Sequence, residues 1–103
     1  MLNLHLNVDP KTAIRLKKVL EYSRDEETFA QNVIAYQLVD LRRGNLNLKL
    51  DIQIFEEKYQ LSSQNFYKKF SQGELGDGED FITWAGLVEM LNENEERLRG
   101  LEG

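Results

Sequence analysis

The chain contains no cysteine, and that absence removes several kinds of chemistry at once. Disulfides, thiolate metal sites and a cysteine nucleophile are excluded, and the composition suits a reducing compartment. A single histidine, His5, stands between Asn3 and Asn7, neither of which completes a metal site or a catalytic base. No apolar run approaches the roughly 18 residues of a membrane span, and the first residues lack the charged-then-apolar layout of a signal peptide. Repeats, low-complexity tracts and flexible linkers are missing too. These absences lead to the expectation of a cytoplasmic, non-enzymatic chain with no cofactor, no metal and no membrane partner.

What is present is ordinary in amount and uneven in placement. Hydrophobic residues make up 41% and charged residues 30% of the 103 positions, as in a soluble folded chain. Residues 1–50 carry eight Lys/Arg against six Asp/Glu, a balance of +2, whereas residues 51–103 carry five against twelve, a balance of −7. The two halves therefore face partners of different charge.

Leu2-Asn3-Leu4-His5-Leu6-Asn7-Val8 alternates apolar and polar residues, which predicts a strand with the leucines on one face and Asn3, His5 and Asn7 on the other. Asp9-Pro10 is a helix start, and a helix is expected over Lys11 to Ser23 with Ala13, Leu16 and Leu20 on its apolar stripe. Lys11, Arg15, Lys17 and Lys18 lie mostly off that stripe. A second helix is expected from Glu26 to Arg43, ended by Gly44-Asn45. Leu46 to Asp51 alternates again and reads either as a short strand or as the lead into a helix holding Ile54 to Tyr59. Ser62 or Ser63 caps a short helix over Gln64 to Ser71, Gly73 ends it, and Glu79-Asp80 opens the last helix.

A lone strand leaves its own N–H and C=O groups unpaired, and a unit this small cannot close a core alone. The simplest remedy is a two-fold homodimer in which Leu2–Val8 pairs antiparallel with its copy. The expected fold is therefore mainly α with one N-terminal β-strand. It comprises a ribbon–helix–helix module over residues 1–46 and acidic C-terminal helices over residues 47–103.

On the alternating strand, the Asp9-Pro10 start and two short amphipathic helices in that order, residues 2–43 resemble the ribbon–helix–helix family of repressors and antitoxins. The resemblance implies a transcriptional regulator that binds double-stranded operator DNA. Asn3, His5 and Asn7 would then meet base edges, with His5 alternatively a plain surface residue. Asn has the amide geometry to bind adenine, and a two-stranded ribbon fits the major groove. Lys11, Lys17, Lys18 and Arg24 would meet phosphates, though a solvated helix face explains them nearly as well.

The aromatic and acidic spacing from Phe55-Glu56-Glu57-Lys58-Tyr59 through Phe66-Tyr67, Phe70 and Gly73 to Phe81 and Trp84 resembles the C-terminal part of small antitoxin-like proteins. That resemblance implies a small basic protein toxin as partner, held by Phe66, Tyr67, Phe70, Phe81, Trp84, Val88 and Leu91. The same residues at helical spacing also fit an intramolecular core, and both readings stay open here. The rival to the whole regulator reading is a dimeric protein-interaction or adaptor module that does not bind DNA.

Overall fold

A computed structural model describes residues 1–103 and contains four helices and no strand: α1 (Pro10–Tyr22), α2 (Glu26–Tyr59), α3 (Ser63–Ser71) and α4 (Glu79–Glu102). Local chemistry accounts for most of the boundaries. Pro10 occupies the first position of α1. Asp25 precedes α2, and its carboxylate accepts the Thr28 N–H at 2.6 Å. Ser62 does the same for α3, accepting the Asn65 N–H at 3.2 Å. Gly73, at φ +76°, then closes α3, with the Glu74 N–H donating back to the Lys69 carbonyl at 3.0 Å.

The alternating segment Leu2–Val8 is not a strand, so the chain does not have a ribbon–helix–helix fold. The segment has no regular secondary structure, and its backbone makes no ladder with any other part of the chain. The first backbone bond in the region is the Ala13 N–H to the Asp9 carbonyl, which belongs to the start of α1. Period-two alternation states which side chains share a face, and that part is only partly met, since Asn3 lines the same hollow as the leucines and Val8 does not. Leu2, Leu4 and Leu6 line one hollow together with Leu16, Leu20 and Phe29. Alternation does not state what the backbone bonds to, and a strand needs that second partner.

The helix break expected at Gly44-Asn45 is also corrected, as is the short strand at Leu46–Asp51. α2 passes through both for 34 residues, about 51 Å at 1.5 Å per residue. Glycine inside a helix costs only about 1 kcal/mol relative to alanine. Against that stands the 3–4 spacing of Leu38, Leu41, Asn45, Leu48, Ile52, Phe55 and Tyr59, which keeps one face of α2 toward a neighbour across the supposed break. Packing along that face outweighs the local preference.

The chain divides into two compact units, Met1–Ala35 and Tyr36–Gly103. In the second unit α4 runs antiparallel to α2 with its own 3–4 series, Phe81, Trp84, Val88, Leu91, Glu95, Leu98 and Glu102. Tyr59 meets Phe81 at one end, Phe55 meets Trp84, Lys49 faces Glu95, and Arg42 faces Glu102 at the other end. α3 closes the aromatic end, where Phe66 stacks flat on Trp84 with ring centres 3.8 Å apart. The first unit holds α1, the opening turns of α2 and the N-terminal segment before them, and none of its residues is buried.

Candidate interaction surfaces

The first unit presents an apolar surface with little over it. Leu2 is 84% exposed and Leu4 70%, and Leu6, Val8, Ile14, Val19, Leu20, Val33 and Ile34 are exposed as well. The hollow between the N-terminal segment and the helices measures about 410 Å³ and is lined by Leu2, Leu4, Leu6, Leu16, Leu20, Phe29 and Ala30, together with Asn3 and Glu26. Isolated apolar side chains on a surface are normal, whereas a contiguous set of this kind marks a contact site.

A second feature of the same unit is cationic. Lys11, Arg15 and Lys18 recur at the spacing of one helix face, and Tyr22 continues it. All four are exposed, as is Lys17, and no carboxylate forms an ion pair with any of the four cations. Asn3, His5, Asn7 and Arg24 are exposed too, but without a ribbon the polar residues of the N-terminal segment have no strand to carry them. The start of α2 is already supplied with anions. Asp25 takes the Thr28 N–H, which together with the Thr28 hydroxyl holds its carboxyl below the usual range, and Glu26 and Glu27 fill the first turn.

The second unit turns its aromatic residues inward. Trp84 and Phe66 are fully buried, with Val88, Ala85 and Ile52 beside them, and Phe55, Tyr67, Phe70, Phe81 and Leu91 pack around that centre. The indole N–H donates to the Ser63 hydroxyl at 2.8 Å, so its one polar atom is satisfied inside. Of the seven residues expected to meet a partner, three are buried and four half-buried, all within this one cluster.

Polar groups that sequence reasoning missed fasten the cluster from outside. Glu56 accepts the Ser63 N–H at 2.8 Å, capping α3 from α2. Asp80 accepts from Lys58 Nζ at 2.7 Å and from the Tyr59 hydroxyl at 2.6 Å, joining the end of α2 to the start of α4. These bonds hold the Asp80 carboxyl below its usual range, and the same carboxylate pushes Lys58 and Tyr59 up. Tyr67 donates to Glu89 at 2.7 Å, which raises the phenol likewise. Asn45 was read as a helix end, yet it is 94% buried in the seam, since only 6% of its surface is exposed. Its place between Leu41 and Leu48 in the 3–4 series was the available signal.

No three His, Asp or Glu side chains converge as a metal-binding group, and no helix is long and apolar enough to cross a membrane. Compared with protein-family models, curated proteins and solved structures, the chain matches none.

Proposed function

We propose that the chain is a non-enzymatic protein-interaction module that self-associates through its first unit. The observation that carries this reading is that Met1–Ala35 contains no buried residue, while Leu2, Leu4, Leu6 and Leu20 line one hollow and remain exposed, as do Val8, Ile14, Val19, Val33 and Ile34. Each such side chain contributes about 1.5–3 kcal/mol when fully covered, so a second copy laid on this surface has a large driving force. Closed two-fold pairing is the commonest way a small chain completes a core. The second unit has its own core and needs no such help.

The test is amide hydrogen exchange of the full chain as a function of concentration. Protection of α1 and of the first turns of α2 should rise with concentration, while that of the helices around Trp84 stays fixed. Protection of α1 that is high at every concentration, down to dilute monomer, would rule the reading out.

A second reading, an antitoxin-type regulator of transcription, is favoured by the unpaired cations Lys11, Arg15 and Lys18 on one face of α1 and by the acidic balance of the later residues. In this form α1, and not a β-ribbon, meets the phosphates of double-stranded DNA, and the acidic second unit faces a small basic protein. Binding to duplex DNA that weakens steeply with salt, with a shallower slope in Lys11→Ala and Lys18→Ala, would support it. No retention of duplex DNA even at low salt would remove it.

A further inference from the structure

The two ends of the α2–α4 hairpin are built from different chemistry. From Phe81 to Leu91 the inward positions of α4 are apolar or aromatic, and the matching positions of α2 are Tyr59, Phe55, Ile52 and Leu48. Beyond Leu91 the same series on α4 places carboxylates at Glu95 and Glu102 with only Leu98 between them, and α2 answers with Asn45 ahead of Leu41 and Leu38. Lys49 to Glu95 and Arg42 to Glu102 are both 3.9 Å, the long limit of an ion pair, and the four side chains are between 38% and 61% exposed. Pairs of that kind contribute little in water. The Asn45 side-chain oxygen is buried and no other group of the chain donates to it, so an acceptor in this place gains hydration when the end opens. No comparable gain falls to the aromatic end, where the indole N–H is satisfied by Ser63.

We propose that this hairpin is a conformational device in two parts: the aromatic end stays closed, while the segment from Asn92 to Glu102 releases from α2 by itself and bares Asn45 with Leu41 and Leu38 beyond it. Opening hydrates the Asn45 amide oxygen and exchanges two weak ion pairs for hydration, so it is far cheaper than unfolding the core. Once detached, a stretch of 11 residues, Asn92–Glu102, is too short and too polar to hold its helix alone, so its backbone amides report the opening. Simple fraying of a helix end differs in one respect, because it does not depend on a residue in the middle of α2.

The test is residue-resolved amide exchange on the full chain, wild type and Asn45→Leu, at low and high salt. In the wild type the amides of Glu95–Arg99 should exchange on the order of 100-fold faster than those of Trp84–Leu91. Salt should quicken only the former. Asn45→Leu should slow the Glu95–Arg99 amides by about tenfold or more and leave the Trp84 fluorescence unchanged. If that variant disturbs the Trp84 fluorescence, Glu95→Gln takes its place. It should speed exchange over Glu95–Arg99 and make it less sensitive to salt. Even exchange along α4, or exchange at Glu95–Arg99 that neither variant alters, overturns the proposal.

Discussion

In the second unit an indole, four phenylalanines and two tyrosines fold in on one another, and Trp84 and Phe66 lose all contact with solvent. In the first unit leucine, isoleucine and valine are just as frequent along the chain, yet not one becomes buried. Composition does not explain the contrast. Three helical segments meet at Trp84, and α3 lies across the end of a hairpin whose helices are already paired. The first unit offers only α1, the opening turns of α2 and an N-terminal segment without backbone partners, which is too little chain to enclose its own apolar side chains. Enclosure, more than apolar content, decides which unit is self-sufficient and which leaves its apolar side chains exposed.

The sharpest way to break this contrast is to remove its two centres. Trp84→Ala should cost about 3–5 kcal/mol of stability, read by urea unfolding of the monomer, because it leaves a cavity and strands the Ser63 hydroxyl. An effect under about 1 kcal/mol would mean that the indole is not the centre of the core. Leu6→Asp and Leu20→Asp should act on association instead, weakening it by at least 2–3 kcal/mol while the monomer's unfolding midpoint barely moves. Both belong to one hollow, so their effects should not add.

Asn45→Leu should stabilise the second unit by about 1–3 kcal/mol, since it removes an unsatisfied buried acceptor at little change in volume. Loss of stability on that change would show that the amide has a partner in solution, most simply a water. Gly44→Ala should add up to about 1 kcal/mol, because the position is helical and a methyl group would meet nothing within 4 Å. Destabilisation would show that α2 is broken there.

The gentlest test concerns pH. Lys58 and Tyr59 depress the Asp80 carboxyl, so its contribution is present above the ordinary carboxylate value and is lost as pH falls through the lower folded-state value. Lys58 and Tyr59 are raised, so their contribution is full below their ordinary values and fades as pH rises through the folded ones. Asp80→Asn should therefore flatten both the acid and the alkaline limbs of the stability profile. An unchanged profile would mean that this exposed trio contributes nothing.

Much of the helical framework was legible because short-range chemistry sets it: Asp9-Pro10, Ser62, Gly73 and Glu79 all mark ends the structure keeps. The grouping of Leu2, Leu4 and Leu6 was legible, but not the place of Asn3 beside them, and the strand was not legible, since pairing depends on a partner that alternation cannot supply. Gly44-Asn45 misled because a weak local preference opposed the long 3–4 series from Leu38 to Tyr59, and only the series describes tertiary contact. For Phe66, Trp84 and Val88, spacing could not separate an internal core from a partner-facing stripe. That distinction depends on where α3 crosses, which Ser63 helps to hold by bonding both Glu56 and the Trp84 indole.

Sedimentation equilibrium of the full chain, run from low micromolar to near-millimolar concentration, tests the central claim most directly. If the uncovered face of Met1–Ala35 is a self-association surface, the mass should pass from one chain to two across that range, and Leu6→Asp should hold it at one chain throughout. A wild-type chain that stays a monomer at every concentration would contradict the account.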